Sequence, residues 1–203
     1  MSQPSLNARA WQRMLSGRRL DLLDPSPDDV AIEDIAHGLA RVARWNGQTT
    51  GAHAFSVAQH ALLVEEISGA LYPDWLPSLR LAALLHDAAE YVIGDLISPF
   101  KAAIGLDYKA FENRLLVAIH ARFALPTPLP EPIVAGIERA DRVAAYHEAT
   151  RLAGFSLDEG QRYFGPVEKL PVDLTARLLA LDPQAAPLMQ QRFLRRFAEL
   201  TAA

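Results

Sequence analysis

The sequence predicts an all-α protein, and three observations lead there. Apolar residues recur at three- and four-residue spacings in several separate stretches. No alternating polar–apolar run of strand length stands out. Polar segments bearing glycine or proline separate the stretches.

Residues 1–28 carry charge, prolines and the stretch GRRLDLLDPSPDD without a long periodic pattern, and read as an N-terminal extension. Ile32, Ile35, Leu39 and Val42 form the first helical stripe. It breaks at the loop WNGQTTG, residues 45–51. Ser56 and Gln59 have capping-box spacing, so a helix is expected through about residue 68, with Gly69 as its terminator. Asp74 is the expected cap of a leucine- and alanine-rich helix from Leu76 to Ile93, ended by Gly94. A helix starting at Asp107 presents Phe111, Leu115, Ala118 and Ile119. Pro126, Pro128, Pro130 and Pro132 interrupt the pattern. The next helix runs from about Ile133 to Leu152 and ends at Gly154. Residues 155–174 are left open between loop and short irregular structure, and Leu188, Phe193, Phe197 and Leu200 mark a final helix. The expected organisation is one domain over 1–203, with 155–203 as a helical tail.

Composition narrows the function. Half of the 203 residues are hydrophobic and 22% are charged, which supports a packed core. A net charge of −4 argues against a nucleic-acid polymer as partner. The absence of cysteine excludes disulfides and thiolate metal sites and fits a cytoplasmic setting. No segment reads as a membrane span or a signal peptide.

The polar residues on apolar helices carry the chemistry. His86 and Asp87 interrupt LRLAALLHDAAEYVIGD, whose other positions are mostly small or aliphatic. Asp141 lies on the stripe Ile133, Ile137, Asp141, Ala144, Glu148, and His60 sits beside Val57, Ala61 and Val64. An unpaired buried ion costs several kcal/mol, so the carboxylates require compensation. Two imidazoles and two carboxylates form a donor set for one divalent metal ion, which would answer all four anomalies. Taken singly, a histidine such as His60 is more often a core or surface residue. Asp141 alone would more often be an ion-pair partner of Arg139 or Arg142. Glu90, one turn beyond His86, adds a carboxylate on the same face.

The order His60, His86-Asp87, Asp141 resembles the H…HD…D signature of HD-domain metal-dependent phosphohydrolases. HDAAEYVIGDLISPFK (86–101) is similar to a block of the branch containing bacterial 5′-deoxynucleotidases. IEDIAHGLARVARWNGQT and FSVAQHALLV are similar to a group that includes phage dATP triphosphohydrolases. The likeness spans about residues 17–150. It implies an HD-domain helical bundle in which His60, His86, Asp87 and Asp141 hold one divalent ion (Mn, Co, Fe, Ni, Zn or Mg) for hydrolysis of a nucleotide phosphoester. It further implies acid–base roles for Glu90 and Asp95, and substrate contacts from Arg44, Trp45, Pro99 and Lys101. Trp45 against C2′ of the sugar would favour a deoxynucleotide. Glu138 stands where some relatives carry a cation, which weakens a triphosphate reading that the N-terminal likeness strengthens, so the phosphate count stays open. Homo-oligomers occur among the resembling enzymes, and one is expected here.

Two rivals remain. Some relatives bind two irons through two extra histidines between the HD pair and the last aspartate; this chain has only His120 there. A helical module with a structural ion would not require Glu90, Asp95 or Lys101. His37 and His53 lie near the site residues in sequence, where substrate contact is open to them, but helix or loop packing is the expected role; His147 is assigned none.

Overall fold

A short antiparallel hairpin precedes the helices. Strands β1 (Trp11–Arg13) and β2 (Arg19–Asp21) pair with Trp11 opposite Asp21. Three-residue strands are too short to show alternation, which is why the sequence pattern gave no sign of them. The structure is a computed structural model and describes residues 10–96 and 108–202. The hairpin is fastened to the helical body through its turn: Ser16 donates its backbone N–H (2.9 Å) and its hydroxyl (2.5 Å) to the buried carboxylate of Asp34.

Nine α-helices follow within the described residues: α1 (Ile32–Leu39), α2 (Val57–Leu71), α3 (Pro77–Leu84), α4 (Glu90–Ile93), α5 (Tyr108–Arg122), α6 (Glu131–Arg151), α7 (Leu157–Phe164), α8 (Val172–Leu179) and α9 (Ala186–Ala202). The expected all-α class holds. Helix α2 is the central element, packed on α6, α3 and α9. One continuous apolar cluster runs from Met14 in the hairpin to Leu200 in α9. No helix among the described residues is long and apolar enough to cross a membrane.

Several boundaries differ from the sequence expectation, each for a local reason. Gly69 does not end α2, which continues to Leu71. A Cβ there would lie 2.2 Å from the Arg80 guanidinium, so the glycine makes room for a packed arginine instead. Asp74 does not cap α3; Leu76 occupies that position and Pro77 begins the helix, where a missing N–H costs nothing. Ser56 caps α2 by accepting from the Gln59 N–H.

The expected helix over 76–93 is in fact two. Helix α3 stops at Leu84, residues 85–89 form a turn, and α4 supplies one further turn before Gly94, at φ 76°, ends it. The His86 ring explains part of the break. Its Nδ1 donates to the Ala83 carbonyl at 2.9 Å, satisfying a helix-end acceptor with a side chain. The Asp107 start of α5 lies outside the described residues.

The segment left open at 155–174 contains α7. Ser156 and Glu159 form a reciprocal capping box, with Ser156 Oγ accepting from the Glu159 N–H and Glu159 accepting from the Ser156 N–H. Helix α9 is integral to the core, burying Met189 and Phe193. It is also tied by charge. Arg196 donates from Nε and Nη2 to the two oxygens of buried Glu65, at 3.0 and 2.8 Å, and Arg80 from α3 meets the same carboxylate.

Candidate metal centre

Three helices and one turn bring the HD-pattern residues together. His60 lies in the first turns of α2, whose start is pinned by Ser56. His86 and Asp87 occupy the turn after α3, and Asp141 lies midway along α6. Because α2 packs on both α3 and α6, residues 26 to 81 positions from His60 converge on one point.

The donor atoms have the spacing of ligands around one ion. His60 Nε2 is 3.3 Å from His86 Nε2, 3.2 Å from Asp141 Oδ1 and 3.5 Å from Asp87 Oδ2, and His86 Nε2 is 3.2 Å from Asp87 Oδ2. Donors about 2.1 Å from a common ion, in neighbouring octahedral or tetrahedral positions, stand about 3.0–3.4 Å apart. One donor atom from each of His60, His86 and Asp141 lies within 4.8 Å of the others. Asp87 adjoins both imidazoles. The residues fit a divalent ion.

Hydrogen bonding also assigns the imidazole tautomers. His86 Nδ1 donates to a carbonyl, and His60 Nδ1 donates to Glu148 Oε1 at 2.6 Å. Each neutral ring therefore carries its lone pair on Nε2, the atom facing the other ring. This is the orientation metal-binding histidines take when a carboxylate or carbonyl holds the remote nitrogen.

Glu148 is the functional residue the sequence reading missed, although it stands on the same helical stripe as Asp141, two turns on. Fully buried, it accepts from His60 at Oε1 and from both Arg44 Nε and Trp45 Nε1 at Oε2, each at 2.9 Å. A carboxylate under a buried histidine is the signal that would have found it. Consecutive residues of an extended segment point to opposite sides, so Arg44 and Trp45 need a special backbone to reach one oxygen. Trp45 and Asn46 supply it with left-handed φ values of 57° and 51°. The turn is moored to the start of α2 by Arg44 N–H to the Phe55 carbonyl (2.8 Å) and Val57 N–H to the Val42 carbonyl (3.0 Å).

The electrostatics follow from this crowding. Burial and the neighbouring Arg44 oppose a charge on His60, yet Glu148, Asp141 and Asp87 outweigh them and hold its pKa well above 6.5. Burial would raise the carboxyl of Asp87, but His86 and His60 keep it well below the usual range, and His60 does the same for Asp141. Glu148, despite its burial, is brought down to about 2 by Arg44, His60 and Trp45. Metal-free, the cluster takes up a proton on His60, as a site with excess carboxylate must. Asp87 and Asp141 are less enclosed than a pair of buried ions: their side chains are 22% and 41% exposed and face a cleft, so water carries part of their charge.

The remaining sequence candidates are placed as follows. Arg44 Nη1 lies 3.6 Å from Asp87 Oδ2, at the edge of the cluster. Trp45 packs edge-on against Phe155 (5.7 Å) and Phe164 (5.9 Å), so the segment containing α7 seats it. Glu90 is buried at the head of α4, its N–H on the Asp87 carbonyl at 3.0 Å. Asp95 is half-buried and close enough to Arg44 to favour its charged state. Pro99 and Lys101 lie outside the described residues. His120 and His147 are buried and His53 is exposed.

No protein-family model matches the chain. It is 56% identical to the uncharacterized protein RCAP_rcc00048 of Rhodobacter capsulatus, over 91% of this chain and 92% of that one. It is 30% identical to the uncharacterized protein YfdR of Escherichia coli, over 93% and 94% respectively.

Proposed function

The chain belongs to the family of RCAP_rcc00048 and YfdR, and we propose that it is a metal-dependent phosphohydrolase of the HD-domain type acting on a nucleotide. One observation carries the reading. Two imidazoles whose Nδ1 atoms are committed as donors face each other through Nε2 at 3.3 Å, flanked by two carboxylates. With both Nδ1 atoms so committed, the two Nε2 atoms and the flanking carboxylate oxygens are left as donors for a cation, in place of the proton that His60 takes up without one.

A divalent ion bound there would acidify a water molecule and stabilise charge gathering on phosphoryl oxygens. The protein groups around it have complementary tasks. Glu148 holds His60 in the ligating tautomer and fixes Arg44. Arg44 then presents a rigid positive charge at the rim, suited to orienting a phosphoryl group. Glu90 and Asp95 are the carboxylates assigned to proton exchange with attacking water and leaving group. A cysteine-free chain fits the reducing cytoplasm, where nucleotides are abundant.

Phosphate and pyrophosphate or triphosphate release from a nucleotide panel, with Mn, Co, Fe, Ni, Zn or Mg added in turn, tests the reading. Turnover with one ion per chain is the expected result. Two irons per chain with oxygen consumption would favour the oxygenase reading. Metal binding without turnover of any nucleotide would favour a structural site.

A further inference from the structure

The cleft beside the metal centre has a chemistry of its own. It runs between α5 and α6 and encloses about 560 Å³, within the usual range for small-molecule sites. His86, Asp87 and Asp141 form one end. Away from them the walls are Leu116 and Val117 from α5, Val134 and Ile137 from α6, and Pro128 and Leu129 from the joining loop. Polar groups are few: Asn113, Thr127, His120 and Glu138.

No lysine or arginine lines the cleft among the described residues. Burial holds the His120 imidazole below its usual pKa, so it adds no positive charge at neutral pH. Glu138 is then the only charged side chain away from the metal end among the described lining residues, and it is negative. Among the described residues, a phosphate chain laid along this cleft would meet a carboxylate and apolar walls and no cationic side chain.

Trp45 does not line the cleft. Its N–H is committed to Glu148, and its ring edges meet Phe155 and Phe164. A flat apolar surface for the organic part of the substrate is therefore supplied by the α5–α6 walls. There Val117 and Val134 are 51% and 38% exposed, apolar area that a ligand would remove from water.

We propose that the α5–α6 cleft seats the uncharged, flat end of the substrate, the base of a nucleotide, with its phosphoryl group turned back to the metal end and Arg44. This assignment rests on the phosphohydrolase reading above. It makes Val117 and Val134 specificity-determining residues, distant from the phosphoryl contacts.

The test uses the full-length, metal-loaded protein and two variants, Val134→Trp and, on the opposite wall, Val117→Trp. Both positions are open enough for a large ring to fill the cleft without repacking the core, and thermal midpoints identify any variant that has lost its fold. Calorimetry measures dissociation constants for deoxynucleosides, which carry no phosphate, and separately for inorganic phosphate. In each folded variant the nucleoside constant should rise at least tenfold while the phosphate constant stays within twofold. Nucleoside binding within twofold of wild type in both variants overturns the assignment, as does an equal loss of nucleoside and phosphate binding. Turnover by the wild type is read separately: no release of phosphate, pyrophosphate or triphosphate from any nucleotide would overturn the phosphohydrolase reading, and no nucleoside binding by the wild type would overturn the cleft assignment.

Discussion

Glu148→Gln separates a structural carboxylate from one that sets up a metal site. The change keeps the shape and removes one charge and one acceptor. Glu148 accepts at both oxygens: His60 Nδ1 at one, Arg44 Nε and Trp45 Nε1 at the other. A glutamine can satisfy only one side. With its carbonyl toward Arg44 and Trp45, its amide N–H points at His60 Nδ1, which must then accept, moving the ring proton to Nε2 where the ion would bind. With its carbonyl toward His60, its amide opposes two donors, and in either orientation Arg44 loses the buried charge of Glu148. Breaking a buried ion pair by removing one partner costs about 3–5 kcal/mol. At the lower end, a chain of this size should melt about 6–12 °C lower. Metal affinity should fall about 10–100-fold, the usual effect of losing the partner of a ligating histidine. Calorimetric metal titration and thermal melts of the same samples provide the assay. A purely structural role lowers the melting temperature and leaves metal affinity alone. Glu148→Gln protein that binds metal within twofold of wild type would refute the argument.

Four other outcomes are expected. Asp141→Ala should weaken metal binding by at least about a hundredfold. It should cost the metal-free protein little stability, because that side chain is 41% exposed and its charge opposes Asp87; wild-type metal stoichiometry would end its assignment as a ligand. Protonated His60 should stabilise the metal-free fold fully below pH 6.5, and that contribution should disappear as pH rises through its raised pKa. Metal affinity should run the opposite way, climbing about tenfold per pH unit until His60 is neutral, with one proton released per ion; pH-independent binding would contradict this. Glu65→Ala should lower the melting temperature by about 4–12 °C, a cost of about 2–3 kcal/mol after allowing for partial exposure of Arg80 and Arg196; unchanged metal affinity in the same protein would confine the effect to the α9 anchor. Glu90→Gln should retain metal and lose about 10²-fold or more in kcat, and turnover within twofold of wild type would remove Glu90 from proton transfer.

The sequence by itself determined the helical class, most of the helices and the four polar residues that converge at the candidate site. Each leaves a local trace. An apolar stripe repeats every three or four residues, and an ionisable group on such a stripe stands out because burying it is costly. His60, His86, Asp87 and Asp141 were legible for that reason, and Gly94 and Gly154 because left-handed backbone ends a helix cheaply. Other features depend on contacts between residues far apart in the chain. Gly69 read as a terminator until Arg80 was seen to fill its place, and the break after Leu84 depends on where the His86 ring points. Glu148 shared Asp141's stripe but gained its meaning only when Arg44 and Trp45, more than a hundred residues earlier, met it on one oxygen. The α5–α6 cleft has no sequence pattern at all, since a cavity is space left between surfaces. Periodicity records which face of a helix turns inward, whereas the neighbours that face meets are decided only when the helices pack.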